Sequence, residues 1–392
     1  MIYLDYAAST PIDPRVLKFM RPYLEKDFGN PSSIHRYGQT TRKAIDSART
    51  ICMEILGAAK PSEIIFTGSG TESCNMAIFG SAFGSDIGAN SPKKGHIIVS
   101  AIEHPAVLEP ARYLRDNFGF ELTEVSPDKD GMISVEDIEK EIKAETILVS
   151  VMYANNEIGT IQPIKKIAKI CRDRGIIFHT DACQAPGFLD INAEHLGADL
   201  MTLNSSKVYG PKGVGLLYIR EGVKITPHIF GGGQEFRMRG GTENPALIYG
   251  FAKALEFDLK DSKKEAERIK KMRDKLLATL LKFPGISLNG SLENRLPNNI
   301  NVHVKGMKNE TLVMRLDIDG LAASGGSACS SGKTEASPVL LALGQSKTDA
   351  EESLRLTLGR TTTSAEIAAA EKILTKILKL QSTALSKTPL FL

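Results

Sequence analysis

The chain has 392 residues, more than one hydrophobic core usually organises, so two domains are expected. Hydrophobic residues make up 42% and charged residues 24%, the balance of a soluble globular protein rather than a disordered one. Lys and Arg total 49 against 46 Asp and Glu, a formal charge of +3 with no block of like sign, so nucleic-acid binding has no support, and no apolar run is long enough to cross a membrane.

The opening residues Met1–Tyr6 show no basic stretch followed by an apolar one, so no signal or transit peptide is evident and a cytoplasmic location is expected. Residues 3–11 are too short and too rich in small side chains to read as a core strand. Gly29-Asn30-Pro31 is a turn cluster, and from Ser33 to Leu56 the spacing of Ala44, Ala48, Ile51 and Ile55 predicts a helix. Ile64-Ile65-Phe66 reads as a short strand entering Thr67-Gly68-Ser69-Gly70-Thr71-Glu72-Ser73, with a helix beyond it. Free N–H groups and hydroxyls at such a helix start make an anion site. The stretch is neither GxGxxG nor a Walker loop, and a plain capped helix start reads nearly the same way.

Strands and helices then alternate. Strands are expected at 96–100, 121–125, 146–152, 176–179, 200–203 and 215–219, with helices at 106–118, 135–142 and 164–174 between them. Continuous Ile, Val and Leu runs separated by helices predict an α/β fold with a mainly parallel sheet covered on both faces. Ligands bind such sheets beyond the carboxyl ends of the strands, and His104, Asn156, Asp181 and Lys207 each fall just past one. His104 taken alone reads as an exposed loop imidazole. His179 and Cys183 stand four apart, but no second ligand pair accompanies them, so no metal site is expected.

Lys207 stands out. The apolar run at 200–203 ends in Asn204-Ser205-Ser206, presents the lysine, and turns through Gly210, Pro211, Gly213 and Gly215. A Schiff-base lysine needs a place at a sheet's mouth where its amine is partly desolvated. Pyridoxal phosphate needs such a lysine together with an acid for its pyridine nitrogen, and Asp181 supplies one. A lysine in a Gly-rich loop is also a common solvated side chain, so the rest of the chain must decide.

Residues 229–245 form a Gly-rich basic loop, and a long helical stretch, 246–281, reads as the link between domains. Residues 299–304 are strand-like, and the last helix is amphipathic through Ile367, Ala370, Leu374 and Ile377, with Thr363 and Glu366 as a capping box. Between them lies Ala323-Ser324-Gly325-Gly326-Ser327-Ala328-Cys329-Ser330-Ser331-Gly332. A thiol amid Ser, Gly and Ala has no packing partners, so a mobile, exposed loop carrying a reactive Cys329 is expected. Arg355, on a short strand, suits a substrate carboxylate or a surface ion pair. The other cysteines, Cys52, Cys74, Cys171 and Cys183, form no CxxC pair and suit reduced thiols. The expected boundaries are 15–258 for a large cofactor-binding domain, with 1–14 and 259–392 forming a smaller α+β domain.

Taken together, these stretches resemble the NifS/IscS-type cysteine desulfurases, fold-type-I pyridoxal-phosphate enzymes of the class V aminotransferase superfamily. The resemblance runs through Tyr3-Leu4-Asp5, Gly29-Asn30-Pro31-Ser32, Thr71-Glu72-Ser73, Glu103-His104, Asn155-Asn156-Glu157, His179-Thr180-Asp181-Ala182, Lys207-Val208-Tyr209-Gly210, Gly231-Gly232-Gly233, Gly241-Thr242 and Ser324 to Cys329. It implies that Lys207 carries the cofactor, Asp181 pairs with its ring nitrogen, His104 stacks on the ring and assists proton transfer, and Gln184 bonds the ring hydroxyl. Gly70, Thr71 and Ser206 would hold the phosphate, with Thr242 reaching in from the second subunit of a homodimer. Asn156 and Arg355 would fix the carboxylate of L-cysteine, and Cys329 would take its sulfur as a persulfide for a sulfur-acceptor or iron–sulfur scaffold protein. The chain departs from the family at Asn204-Ser205-Ser206-Lys207, where relatives read Ser-x-His-Lys; Ser206 offers a neutral donor in place of an imidazole. It also ends without the longer tail with which some relatives grip a scaffold. Rival readings are a selenocysteine lyase, a sulfinate desulfinase or an aminotransferase on the same fold, or a non-catalytic sulfur carrier.

Overall fold

A computed structural model describes residues 1–84, 95–260, 262–325 and 336–387. Its centre is a seven-stranded sheet built from β2 (Ile64–Thr67), β3 (His96–Ser100), β4 (Glu121–Val125), β5 (Thr146–Ser150), β6 (Ile177–Asp181), β7 (Leu200–Asn204) and β8 (Gly215–Ile219). The order is β2-β8-β7-β6-β5-β3-β4, parallel throughout except for β8, which runs antiparallel to both neighbours. Strands β3, β5 and β8 are buried at every position, which is why they read as unbroken apolar runs: helices cover both faces. Edge strand β4 keeps polar residues exposed instead.

The helix expected from Ser33 begins at Arg36 and ends at Leu56, with Gly57 in the left-handed conformation closing it. It packs with the helix Pro245–Lys260, which also packs with the helix Pro14–Glu25. The stretch expected as one long helix is helical over Pro245–Lys260 and over Ser262–Leu280. The first buries Phe251 and Leu255 with the sheet's core, and the second buries Ile269, Leu276 and Leu280 in a separate apolar cluster with Ile300, Leu354 and Leu374.

That second cluster contains a three-stranded antiparallel sheet of β9 (Ile286–Leu288), β10 (Asn299–Val304) and β12 (Ser353–Thr357), in the order β12-β10-β9. Contrary to expectation, the opening residues are strand and core. Strand β1 (Ile2–Tyr3) pairs parallel with β11 (Leu321–Ala322), and Leu4 is fully buried. The Leu4 N–H donates to Ala322 O at 2.9 Å, while its carbonyl accepts from Thr357 N–H at 2.7 Å. Backbone pairing on both sides, absent from any side-chain pattern, makes this segment a strand. The C-terminal helix Ser364–Lys387 starts with the expected capping box: Thr363 N–H donates to Glu366 Oε2 at 2.8 Å, and Glu366 N–H to Thr363 Oγ1 at 3.2 Å.

Candidate active site

The carboxyl ends of β3, β5, β6 and β7 open at one edge of the large sheet, and the loops that leave them gather the polar groups. Strand β7 passes into a short turn, Ser205–Lys207, and Tyr209 then adopts φ 61° to reverse the chain. Lys207 Nζ donates to the carbonyls of Ala8 (2.7 Å) and Ala7 (2.8 Å). Gln184 Nε2 donates to the same Ala7 oxygen at 3.1 Å. The opening segment therefore forms one wall of the site through its backbone.

Asp181 ends β6. Its Oδ1 accepts the Cys183 N–H at 2.9 Å, and Cys74 Sγ lies 3.8 Å from its Oδ2. Burial and then the Asp181 charge push both thiols well above the ordinary range, outweighing the opposing effect of Lys207 on Cys183. Neither is a ready thiolate. One step back along the strand, His179 bridges Ser150 Oγ (2.8 Å) and Thr202 Oγ1 (3.0 Å), and burial lowers its pKa to about 4, so it stays neutral.

After β3, His104 caps the helix Pro105–Phe118: its Nδ1 accepts the Ala106 N–H at 3.1 Å, which fixes that nitrogen as unprotonated. Beneath it Glu103 is buried. Its Oε1 accepts from Ser100 Oγ and from the Met152 N–H, both at 2.5 Å, and its Oε2 has no partner among the described residues. Burial pushes this carboxyl up to about 8.

The helix Gly70–Gly84 points its amino end at the same rim. A Cβ on Gly70 would sit 3.1 Å from both Asn204 Cβ and Cys183 Sγ, so only glycine brings the helix start this close to the strand ends. Gly68 N–H is held by Glu72 Oε2 at 2.8 Å, and Ser69 Oγ accepts Glu72 N–H at 3.1 Å. The unused N–H groups of the first turn then face a ligand.

From the other side comes β12. Arg355 is 1% exposed, so it is no surface ion pair. Its Nη2 donates to Asp5 Oδ1 at 2.8 Å and its Nη1 to the Asn156 carbonyl at 3.1 Å, while Nε has no partner among the described residues. Asn156 is held by Asn155, whose Oδ1 accepts from both Glu157 and Ile158 N–H.

These groups enclose a cavity of about 330 Å³. Gly70, Thr71, His104, Asn156, Asp181, Gln184, Lys207 and Arg355 all line it, as do Asn204 and, through their backbone, Ala7 and Ala8. Ser206 does not line it; its carbonyl accepts from Thr10 N–H and Oγ1 at 2.9 and 3.0 Å. Thr242 is exposed and borders a separate cavity of about 140 Å³ beside Gly68. Cys329 lies outside the described residues. The donor set fits pyridoxal phosphate: an amine for its aldehyde, a carboxylate for its ring nitrogen, an imidazole for its face, and a helix amino end for its phosphate. Asp5 and the Ala7 and Ala8 carbonyls were the functional groups hardest to foresee, since backbone oxygens leave no mark in a sequence.

The aminotransferase class-V family matches residues 2–369. A relative from Dictyoglomus turgidum, named cysteine desulfurase IscS, is 46% identical over 379 residues, covering 96% of this chain and 94% of its own length. Another, cysteine desulfurase IscS 1 of Archaeoglobus fulgidus, is 44% identical over 367 residues, 94% of each. Among solved structures, a NifS-like protein superposes with a TM-score of 0.89 at 34% identity, covering 97% of this chain and 99% of that one. A structure described as SspA in complex with cysteine gives 0.80 at 36% identity, over 93% and 100%.

Proposed function

The chain belongs to the aminotransferase class-V family, and from that premise we propose that it is a pyridoxal-phosphate-dependent cysteine desulfurase, converting L-cysteine to L-alanine and passing the sulfur on as a persulfide. The observation that carries this reading is the meeting of Lys207, Asp181, Asn156 and Arg355 around one cavity. Bound there, pyridoxal phosphate supplies an electron sink that makes the substrate's Cα proton acidic.

The residues supply the rest. Lys207 would be the attachment point, and its Nζ is the base placed to take the Cα proton and return it. Asp181, buried at the strand end, would set its carboxyl against the ring nitrogen. His104, its Nδ1 already committed to Ala106 N–H, offers its ring face to the cofactor and its Nε2 to a proton. Arg355 and Asn156 orient the substrate carboxylate, and Asp5 holds the guanidinium fork in place for it. The Cys329 thiolate forms a bond to the substrate sulfur as the Cβ–S bond breaks; the electron pair of that bond passes to Cβ, which takes a proton to become the methyl of alanine, and the sulfur stays on Cys329 as a persulfide. Cys183 is the alternative thiol, and its raised pKa and its place beside Asp181 speak against it.

The assembly belongs to the same proposal: a homodimer in which Thr242 serves the neighbouring subunit's phosphate, residues 15–258 as one domain, residues 1–14 and 259–392 as the other, a cytoplasmic location, and an acceptor or iron–sulfur scaffold protein for the sulfur. Thr242, exposed and outside its own subunit's cavity, supports the dimer, as do exposed Phe28, Ile34 and Phe230. Among the described residues no helix is long and apolar enough to cross a membrane.

The test is chemical. Borohydride reduction of the cofactor-loaded protein should fix the label on the peptide containing Lys207. After one turnover with L-cysteine, mass spectrometry should find the added sulfur on the Cys329 peptide, and Cys329→Ser should lose it while Cys183→Ser keeps it. Sulfur on the Cys183 peptide would overturn the assignment of the nucleophile.

A further inference from the structure

Residues 229–243 stand outside the cavity, yet they are bolted to the helix start that forms one end of it. Three consecutive non-glycine residues there, Glu235, Phe236 and Arg237, have φ of 45°, 55° and 67°, a conformation that L side chains adopt only when their surroundings enforce it. The enforcing contact is visible. Arg49, buried, grips Glu235 with both ends of its fork, at 2.7 and 2.9 Å, and lies between the rings of Phe66 and Phe236. Glu235 Oε2 also accepts the Phe66 N–H of β2 at 2.9 Å.

The strained turn delivers Arg239. Its Nε donates to Glu72 Oε1 at 2.9 Å and its Nη2 to Glu72 Oε2 at 3.4 Å. That same Oε2 holds the Gly68 N–H at 2.8 Å. An acid in the first turn of a helix that receives an anion is opposed to its ligand by charge. Here its charge is met by Arg239, and its oxygens are used as anchors.

We propose that Glu72 and Arg239 are a positioning pair that fixes the Gly68–Thr71 loop, and with it the N–H groups offered to a phosphate. The proposal rests on the assignment of that helix start to the phosphate of the cofactor. Neither side chain lines the cavity, so the pair acts through the backbone it holds.

The experiment titrates the full chain, stripped of cofactor, with pyridoxal phosphate and with pyridoxal, which lacks the phosphate, following the absorbance of the bound chromophore. Glu72→Gln and Arg239→Gln should each weaken pyridoxal phosphate about tenfold and leave pyridoxal within about twofold, because only the phosphate senses the loop. Arg239→Lys should recover part of the loss. Arg112→Gln, which breaks the Arg112–Glu124 pair between the helix Pro105–Phe118 and β4, should change neither. Tighter pyridoxal phosphate binding in Glu72→Gln would overturn the proposal, since removal of a negative charge acts in that direction when position does not matter. Equal losses for both ligands, or no loss, would overturn it as well. If instead the unaltered chain binds the two ligands equally, the assignment of the phosphate to this helix fails first and the positioning pair falls with it.

Discussion

The two ends of the cavity present positive charge by different means. At one end the helix start at Gly70 offers backbone N–H groups; at the other Arg355 offers a buried guanidinium fork already balanced by Asp5. The first depends on distance, because partial charges of a helix end act only within its first turn. The second depends on a full charge in a fixed plane. A damaged helix end should therefore lose the cofactor, and a damaged fork should lose the substrate.

The largest effect is expected at the fork. Arg355→Gln should lower kcat/KM for L-cysteine about a hundredfold, mainly through KM, with cofactor affinity unchanged. Arg355→Lys keeps the charge but not the plane and should recover only part of that loss. If lysine restored KM fully, charge alone would suffice and the two ends would differ less than their geometry suggests.

Gly70→Ala tests the other end. Its new Cβ would press on Asn204 Cβ and Cys183 Sγ, each 3.1 Å away, and move the helix start outward. Cofactor affinity measured by absorbance titration should fall about tenfold, while KM of the loaded fraction holds. Ser206→His is a smaller, opposite change. It restores the family's imidazole next to Lys207, and the expected gain in cofactor affinity is about threefold. No gain would mean that Asn204, which does line the cavity, already fills that role.

The last effect is a slope with pH rather than a change in affinity. The Glu103 carboxyl is raised from 4.5 to about 8, so the folded protein holds a proton that the unfolded chain gives up. Between those values the native state binds more protons, and stability falls as pH rises through the window. In Glu103→Gln the decline in urea midpoint from pH 5 to pH 8 should flatten. An unchanged slope would place the titration elsewhere.

Much of this site was legible because strands buried on both faces announce their own ends. His104, Asp181 and Lys207 follow apolar runs whose termini can be read to within a residue or two, and Arg355 stands out as a charge inside such a run. The groups that escaped notice work without a side-chain signature or across long separations. Ala7 and Ala8 contribute only carbonyls. Arg239 and Glu72 lie 167 residues apart, and nothing in either neighbourhood names the other. The left-handed turn at Glu235–Arg237 contains no glycine to mark it. The long helical stretch at 246–281 was legible from its continuous period, but not that its two halves serve different apolar clusters.

The threading of the first residues carries a consequence for how the chain is made. Leu4 completes its pairing only with Ala322 and Thr357, and Lys207 finds its acceptors only when Ala7 and Ala8 are seated. Leu4 thus waits for partners made much later in synthesis and stays unpaired until they emerge. Loop closure over some 350 residues is slow compared with local helix formation. The active site should accordingly be the last part of the molecule to mature, and release of a chain stopped before β12 should yield a folded sheet without a competent site.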